Sequence, residues 1–440
     1  IVNYSLYYFR RGVLRQDDRR ARRLPPDAPL PNHSPNFWQD FRQSLPPHPP
    51  RYRSPKRPPL RVAIANINRS KYTETFINGV IGRLPVCPFL LYGGELPDQA
   101  SVRHLAAMQW SPAHRAWLTW QEHRLRLGQQ HFRKQALAAY LQKKRVEVVL
   151  AEFGPVGVGV FPVVQDLGLP MVVRFHGYDA WHEAQLERQA EAYPQLLTSA
   201  RVQFVGVSRA ICQRLQDWGA PAERVHYLPD YVNLRQFRPQ PGSPPPGERP
   251  PRILYTGRFA DTKSPHLTLL AFARVLALRP DAHLIMVGKG GGGELYEACL
   301  TLVRALGIGH RVQFLGEQSH LRVQREMQRA RVYVLNSVTT PEFQDQEGTP
   351  VAVMEALASG TPVLATRHAG IADLITHEEN GLLVPEFDLE ALAGQMLRLL
   401  QDDALANRLG ATASVALHQH PYISQHVNRL SAILRQAAKG

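Results

Sequence analysis

The sequence predicts two doubly wound α/β domains, each a mostly parallel sheet covered by helices. From residue 61 onward, short apolar runs rich in β-branched residues alternate with helical stretches. This alternation is typical of buried parallel strands joined by crossover helices. A proline-rich segment interrupts it at residues 239–251, and a second series of the same kind follows. The length of 440 residues suits two or three domains.

Residues 1–60 differ in composition from the rest of the chain. They contain 12 of the 36 prolines, and 12 lysines and arginines against 4 acidic residues. Neither a strand period nor a helix period is sustained there. We expect a basic, mostly disordered leader, or an over-extended or truncated start. An arm that touches anionic lipid head groups is the alternative.

The N-terminal domain is predicted to span residues 61–238. Its apolar runs of strand length are Val62–Ile67, Val86–Tyr92, Val146–Ala151, Met171–Phe175, Val202–Val207 and Val225–Leu228. Helical stretches separate most of them, so a parallel sheet with crossover helices is expected.

Residues 239–251 are predicted to link the domains, because their prolines and glycines cannot lie inside a helix or a central strand. The C-terminal domain is predicted to span residues 252–420, and residues 421–440 are predicted to contain a last helix. The strands expected in this domain are Ile253–Tyr255, His283–Val287, Val312–Leu315, Val332–Leu335, Pro362–Ala365 and Leu382–Val384.

Composition excludes several classes of protein. No apolar run approaches the 18 residues of a transmembrane helix, and the arginine-rich start lacks the apolar region of a secretory signal. The three cysteines, Cys87, Cys212 and Cys299, are far apart in the chain. They therefore exclude a disulfide scaffold or a cysteine-cluster metal site, and they fit a reduced cytoplasmic compartment.

The net charge of +15 is confined to two segments. One is residues 1–60, and the other is residues 103–145, where 9 lysines and arginines accompany 1 acidic residue. The remainder of the chain is close to neutral, unlike a general polyanion binder. The glycine–aromatic signature of RNA-binding modules is also absent, so we expect no nucleic-acid partner.

Residues 103–145 are predicted to form a long helical stretch or a pair of helices. They contain Trp110, Trp117 and Trp120 among the nine cations. Two interpretations are open. The segment is either a solvated helical hairpin whose tryptophan rings pack inward, or a patch that faces an anionic membrane and receives a lipid-linked acceptor.

Two glutamates frame a predicted helix start. Glu347 and Glu355 are eight positions apart, and Gly348 and Pro350 place the start between them. Glu347 should then lie in the loop and Glu355 inside the helix, with both facing one cleft. The first amides of such a helix suit phosphate or sugar oxygens. A capped surface helix with two incidental acids is the alternative.

A second cluster follows the first strand of the C-terminal domain. Gly257 lets the backbone approach a ligand, and Arg258 and Lys263 are two cations that can straddle a diphosphate. Ordinary solvated bases after a strand are the alternative. In the N-terminal domain, His176 and Asp179 follow a predicted strand, where ligands of open α/β sheets bind.

A glycine-rich loop at residues 288–293 leaves a different function open. It satisfies G-x-G-x-x-G and follows an apolar run, so a nicotinamide-dependent oxidoreductase is conceivable. Two features weaken that interpretation. The following acid, Glu317, lies 29 positions after Gly288, and the strand is the second of its domain.

The segment 347–374, EGTPVAVMEALASGTPVLATRHAGIADL, closely resembles the E-x7-E region of family 4 retaining glycosyltransferases. Within that family, the run Thr-Arg-His-Ala-Gly-Ile at 366–371 is most similar to exopolysaccharide transferases of the colanic-acid and amylovoran type. The run Asn-Gly-Leu-Leu-Val-Pro at 380–385 continues the match. The resemblance extends over roughly residues 61–436.

The resemblance implies the GT-B fold, in which two Rossmann-like domains face a central cleft and the last helix, near 422–434, crosses back to the N-terminal domain. The implied reaction moves a hexosyl unit from a UDP- or GDP-sugar to a sugar or lipid-linked oligosaccharide, with retention of configuration. It requires no cofactor and no essential metal. The implied location is cytoplasmic and peripheral on the inner face of the plasma membrane, and no particular oligomeric state is indicated.

The resemblance also implies roles for individual residues. Arg258 and Lys263 hold the pyrophosphate, Glu347 faces the reacting sugar, and His176 lies against that sugar, so these four form the catalytic set. The donor-binding residues are Gly257, Arg258, Lys263, Glu347, Gly348, Thr349, Pro350, Val351 and Glu355. Glu74, Thr75 and Asp179 are assigned to the acceptor side; the first two lie in a run similar to the S-E-T-F-I of the exopolysaccharide subgroup. A non-catalytic GT-B protein that binds membrane or polyanion, and the oxidoreductase, are the alternative functions.

Overall fold

Buried runs of valine, isoleucine and leucine form two separate sheets, one on each side of the proline-rich segment. The computed structural model describes residues 58–68, 75–100, 103–105, 111–124, 130–290, 293–419 and 422–439. The predicted extension at residues 1–60 lies almost entirely outside these ranges.

The N-terminal sheet has eight strands in the order β4-β3-β2-β1-β5-β6-β7-β8. They are β1 (Leu60–Ala65), β2 (Val86–Tyr92), β3 (Gln99–Ala100), β4 (Arg103–His104), β5 (Val148–Glu152), β6 (Met171–Phe175), β7 (Val202–Gly206) and β8 (Val225–Tyr227). The neighbours in the part β2-β1-β5-β6-β7-β8 are parallel. The strand β3 pairs antiparallel with both β2 and β4. Each predicted run of strand length overlaps a strand, but the short β3 and β4 were not predicted.

The helices of this domain are α1 (Thr75–Ile81), α2 (Pro112–Arg124), α3 (His131–Lys143), α4 (Gly154–Asp166), α5 (Tyr178–Trp181), α6 (Glu183–Arg188), α7 (Ala192–Thr198) and α8 (Arg209–Asp217). The stretch 103–145 therefore begins with the strand β4 rather than a helix, and continues as the pair α2 and α3.

The C-terminal sheet is parallel throughout, in the order β11-β10-β9-β12-β13-β14. Its strands are β9 (Arg252–Thr256), β10 (His283–Val287), β11 (Val312–Gly316), β12 (Val332–Leu335), β13 (Val363–Thr366) and β14 (Leu382–Val384). Its helices are α9 (Pro265–Leu278), α10 (Glu294–Ala305), α11 (His320–Arg329), α12 (Val351–Ala358), α13 (Leu389–Gln401) and α14 (Asp403–Gln419).

The last helix, α15 (Tyr422–Ala437), packs on the N-terminal sheet rather than on the sheet that precedes it in the chain. Alternate residues of a strand point to opposite faces of a sheet. Val62 and Ile64 of β1 accordingly share one core cluster with Leu430 and Leu434 of α15. Ala63 and Ala65 of β1 belong to the cluster on the other face.

The proline-rich segment is held against the C-terminal domain. Its prolines support a short 3-10 turn at Pro246–Glu248. The Gly247 amide donates to Asn407 Oδ1 of α14 at 2.7 Å, and the Arg331 guanidinium donates to the Gly247 carbonyl. A Cβ at Gly247 would lie 2.7 Å from the Asp403 carbonyl oxygen, so only glycine permits this close packing.

The helix α2 presents aromatic side chains to solvent. Trp117 is 48% exposed and Trp120 is 54% exposed, and the Arg124 guanidinium lies 5.0 Å from the Trp120 ring centroid. Of the two interpretations left open, the one in which the rings pack inward is therefore wrong for both; Trp110 lies outside the described residues. Over the described ranges, no helix has the combination of length and apolarity needed to cross a bilayer.

Replacing Leu430 with alanine should destabilise the N-terminal domain. The side chain is fully buried between α15 and the sheet, and a buried Leu→Ala change costs about 2–5 kcal/mol. Asn428→Ala, on the exposed side of the same helix, should change stability by less than about 0.5 kcal/mol. Urea-induced unfolding of both variants measures the two effects, and equal effects would contradict the packing described for α15.

Candidate active site

The reversal of strand order in the C-terminal sheet creates a crevice. The chain runs from β9 outward to β10 and β11, and then places β12 on the other side of β9. The loops that follow β9 and β12 diverge at such a point, which is where open α/β sheets bind ligands. Lys263 follows β9 and Glu347 follows β12.

Lys263 and Glu347 form an ion pair in this crevice. The distance from Lys263 Nζ to Glu347 Oε1 is 2.7 Å, and the two side chains are 13% and 14% exposed. Lys263 ends a single 3-10 turn that begins at Asp261. Ser264 then adopts a φ of +40° and leads into α9. The sequence predicted both residues for one site, and the sheet brings their charges into contact.

The turn after β9 carries the third predicted cation. The Arg258 side chain is exposed, and its backbone carbonyl accepts a hydrogen bond from the Tyr255 hydroxyl at 3.2 Å. Gly288 packs against this turn with a φ of +155°; a Cβ there would lie 1.8 Å from the Gly257 carbonyl oxygen. Tight packing of two loops thus accounts for Gly288 without a dinucleotide.

The helix α12 begins at Val351, between the two glutamates, as the Gly-x-Pro pattern predicts. Pro350 is its N-cap residue, and Glu347 lies in the preceding loop. Glu355 is buried in the second turn, with His320 Nδ1 3.6 Å from its Oε1. Burial alone would lower the pKa of His320, but the Glu355 carboxylate outweighs it and the pKa is raised.

His176 follows β6 and is enclosed by charged side chains. The ring is 6% exposed; its Nε2 lies 2.8 Å from Glu152 Oε2 and its Nδ1 lies 3.9 Å from Asp230 Oδ1. Beneath it, the fully buried Arg174 contacts Glu152 at 3.3 Å and Asp230 at 2.8 Å. The two carboxylates are balanced by two cations only when His176 is protonated.

The pKa values follow from this balance. Burial disfavours the imidazolium, yet Asp230 and Glu152 outweigh burial and raise the pKa of His176 to about 9. Burial would likewise raise the pKa of Glu152, but Arg174 and His176 lower it to about 2. His176 is therefore a cation at neutral pH.

Asp179, which was expected on the acceptor side, is held inside the N-terminal domain. Its side chain is fully buried, and its carboxylate accepts hydrogen bonds from the amides of Gly154, His176 and Gly177 at 2.8–3.0 Å. The carboxylate thus orders the turn that carries His176. Of the other two residues expected there, Glu74 lies outside the described residues. Thr75 is the first residue of α1, and its side chain is not described.

The two domains meet at the site through backbone contacts. A Cβ at Gly348 would lie 1.9 Å from the His176 carbonyl oxygen, and one at Gly177 would lie 2.7 Å from the Gly348 amide nitrogen. The Thr349 hydroxyl donates to the Val207 carbonyl of the N-terminal domain. The His176 turn and the Glu347 loop therefore touch without side chains between them.

Two further side chains support the Glu347 loop and were not predicted. The Glu347 amide donates to His368 Nε2 at 3.0 Å, and His368 Nδ1 lies 2.6 Å from Glu386 Oε1. His368 follows β13 and Glu386 follows β14. His368 lies in the run 366–371 that resembles the exopolysaccharide subgroup, and Glu386 directly follows the run 380–385, but only the order of the strands shows that they touch.

Across the residues that the structure describes, no three His, Cys, Asp or Glu side chains are grouped as metal ligands would be.

Comparison with known proteins identifies the domain that holds this crevice. Residues 237–415 match the family model described as Glycosyl transferases group 1. This segment is a group 1 glycosyl transferase domain. The loop at residues 288–293 lies inside the matched segment, so it belongs to a transferase rather than to an oxidoreductase.

The transferase has relatives over much of its length. It is 29% identical over 347 residues to the putative colanic acid biosynthesis glycosyltransferase WcaL of Escherichia coli (strain K12), covering 77% of this chain and 83% of the relative. It is 30% identical over 274 residues to the amylovoran biosynthesis glycosyltransferase AmsK of Erwinia amylovora, covering 61% of this chain and 64% of the relative. The predicted resemblance to glycosyltransferases of the colanic-acid and amylovoran type is confirmed.

Solved structures show the fold. Sucrose-phosphate synthase from Thermosynechococcus elongatus superimposes with a TM-score of 0.66 at 20% identity, covering 86% of the transferase and 99% of that chain. Anabaena HepE in complex with UDP gives 0.67 at 15% identity, covering 86% and 100%. The transferase has the GT-B fold, as predicted.

The charge balance at His176 makes stability depend on pH. The folded-state pKa of about 9 exceeds the unfolded value near 6.5, so the contribution is complete below about pH 6.5 and is lost as the pH rises through 9. The wild type should therefore lose its advantage over His176→Gln between these values, by on the order of 3 kcal/mol. Urea unfolding of both proteins from pH 6 to 10 measures this difference. A difference that stays constant with pH would show that folding does not raise the pKa of His176.

Proposed function

We propose that the transferase is a retaining enzyme of family 4 that moves a hexosyl unit from a UDP- or GDP-sugar to a saccharide or lipid-linked acceptor. The product would be an exopolysaccharide or another cell-surface glycan. The observation that carries the proposal is the 2.7 Å pair of Lys263 and Glu347 at the switch point of the sheet. The relatives named for colanic acid and amylovoran biosynthesis support the product class. The HepE structures with UDP and with UDP-glucose support a uridine nucleotide donor.

The ion pair suggests how the donor engages the site. A diphosphate is a stronger partner for Lys263 than one carboxylate, because it offers several charged oxygens. Binding would therefore draw Lys263 toward the phosphates and release Glu347. The released carboxylate would accept hydrogen bonds from sugar hydroxyls and face the anomeric carbon. Binding of the donor would thus free the Glu347 carboxylate by engaging Lys263, its partner in the ion pair.

The chemistry needs charge stabilisation at two places. Breaking the anomeric C–O bond builds positive charge on the sugar and negative charge on the departing phosphate. Preorganised charges aimed at these atoms are the largest catalytic lever. Lys263 and Arg258 would stabilise the phosphate, and Glu347 would stabilise the sugar. The departing phosphate oxygen would take the proton of the acceptor hydroxyl on the same face, which retains the configuration without a protein nucleophile.

The remaining predicted residues surround this centre. Glu355, buried in α12, is proposed to accept hydrogen bonds from the ribose, and the first amides of α12 (residues 351 onward) to contact the donor. His176 is proposed to flank the donor sugar from the N-terminal domain, because its carbonyl lies against Gly348 beside Glu347. With two cations at the phosphates, we propose that no metal is essential.

A membrane surface is proposed to hold the acceptor. Exposed tryptophans beside arginine are typical of contacts with lipid head groups. Trp117, Trp120 and Arg124 form such a group on α2. The enzyme would then be peripheral on the inner face of the plasma membrane.

The donor proposal is tested by thermal unfolding with UDP, GDP, ADP and NAD, each with and without magnesium. We expect one nucleoside diphosphate to stabilise the wild type without magnesium; at 100 times its Kd the gain is about 2.7 kcal/mol. Lys263→Ala should lose this stabilisation. Lys439→Ala, two residues after the end of α15, should keep it. Stabilisation by NAD alone would favour an oxidoreductase and refute the proposal.

The membrane proposal is tested by sedimentation with lipid vesicles. The wild type should bind vesicles of phosphatidylglycerol and phosphatidylcholine, and bind pure phosphatidylcholine less, with weaker binding at high salt. The double variant Trp117→Ala/Trp120→Ala should bind at least about fivefold less, because each aromatic ring that enters the membrane interface contributes free energy of binding. Leu278→Ala, a 66% exposed residue of the C-terminal domain, is the control. Equal binding by all three proteins would exclude α2 as the contact.

A further inference from the structure

We propose that His368 and Glu386 are positioning residues that hold the loop of Glu347 in its reactive conformation. The inference rests on the proposed function of Glu347. Neither side chain needs to touch the donor, because both act through the backbone of the loop.

Glu386 fastens the beginning of this loop. Its Oε2 accepts a hydrogen bond from the Thr339 amide at 2.7 Å, and Thr339 lies four residues after the end of β12. Its Oε1 lies 2.6 Å from His368 Nδ1. One carboxylate therefore receives the start of the loop on one oxygen and the histidine on the other.

His368 fastens the end of the same loop. Its ring is 1% exposed, and its Nε2 lies 3.0 Å from the Glu347 amide nitrogen. An amide N–H can only donate, so Nε2 must be the unprotonated nitrogen. The hydrogen on Nδ1 then points at Glu386. The loop from Thr339 to Glu347 is thus closed through one histidine and one carboxylate.

The protonation states agree with this assignment. Burial would raise the pKa of Glu386, but the hydrogen bonds from His368 and Thr339 outweigh burial and lower it. Glu386 is therefore ionised at neutral pH, and an ionised acceptor holds the hydrogen on Nδ1. This fixes the tautomer that leaves Nε2 free to accept from Glu347.

The turn that carries His368 is fitted to the loop. Ala369 has a φ of +34°, an uncommon conformation for a residue with a side chain. A Cβ at Gly370 would lie 1.9 Å from the Gly348 carbonyl oxygen. The turn therefore contacts Gly348 as well as Glu347, so both residues at the start of the donor-binding segment rest on it.

The arrangement explains how Glu347 can exchange partners without losing its place. Its carboxylate is bound to Lys263, and its backbone is bound to His368. When a diphosphate takes Lys263, the backbone anchor remains. A displacement of about 1 Å at a reacting group can cost about 100-fold in rate, which sets the size of the effect expected when the anchor is removed.

The test compares His368→Leu, His368→Gln and Glu386→Gln with the wild type and with Glu347→Gln. The hydrolysis of UDP-glucose and GDP-mannose gives kcat and KM, and thermal unfolding with UDP and GDP reports nucleotide binding. His418→Leu is the control, because the His418 ring is hydrogen-bonded to the Ser414 carbonyl within α14, outside this loop.

We expect His368→Leu to lower kcat about 10- to 100-fold while KM and nucleotide stabilisation change less than about threefold. His368→Gln should recover much of the rate, since its amide oxygen can accept from the Glu347 N–H. Glu386→Gln should fall between them, and His418→Leu should keep the wild-type kcat. If His368→Leu fails to fold, a kcat of Glu386→Gln below that of the wild type, with an unchanged KM, supports the same conclusion.

Two results would overturn the inference in distinguishable ways. If the wild type hydrolyses a donor and Glu347→Gln does not, but His368→Leu and Glu386→Gln match the wild type, only the positioning role falls. The positioning role also falls if His368→Gln and His368→Leu have equally low kcat values. If the wild type hydrolyses neither donor and neither nucleotide stabilises it, the proposed function fails and the inference falls with it.

Discussion

The contact between the His176 turn and the Glu347 loop is the constraint on which the site depends. It joins two domains through backbone atoms, and Gly177 and Gly348 leave no space for a side chain between them. Because the loop is also bound to Lys263 and to His368, a change in the relative position of the two domains alters the surroundings of the Glu347 carboxylate.

Charge is balanced locally throughout the site. Lys263 neutralises Glu347 within the C-terminal domain, and in the N-terminal domain His176 and Arg174 neutralise two carboxylates beneath the cleft. Buried charges are tolerable only when they are paired in this way. The two groups differ in exposure, because the Lys263 and Glu347 side chains are 13% and 14% exposed, whereas those of His176 and Glu152 are 6% and 1% exposed. The Lys263 pair is therefore the more accessible of the two to an incoming anion.

The sequence predicted the sheets well because buried parallel strands are nearly continuous apolar runs, as at Met171–Phe175 and His283–Val287. Two-residue strands such as β3 are too short to leave a periodic pattern, so they were missed. Asp179 looked like a ligand because it follows a strand, yet a carboxylate there can equally cap a turn. The contact of His368 with Glu386 depends on β13 lying beside β14, and strand order is not written in local sequence.

The return of α15 to the N-terminal sheet also bears on how the protein is made. Val62, Ile64 and Leu150 lie in strands of the first domain, yet residues that cover them, including Leu430 and Leu434, are synthesised only after the second domain. The part of the first sheet that α15 covers therefore stays exposed until residues 422–437 have left the exit tunnel. The first domain reaches its final packing only after the second has been translated, which leaves an apolar surface for chaperones to shield in the meantime.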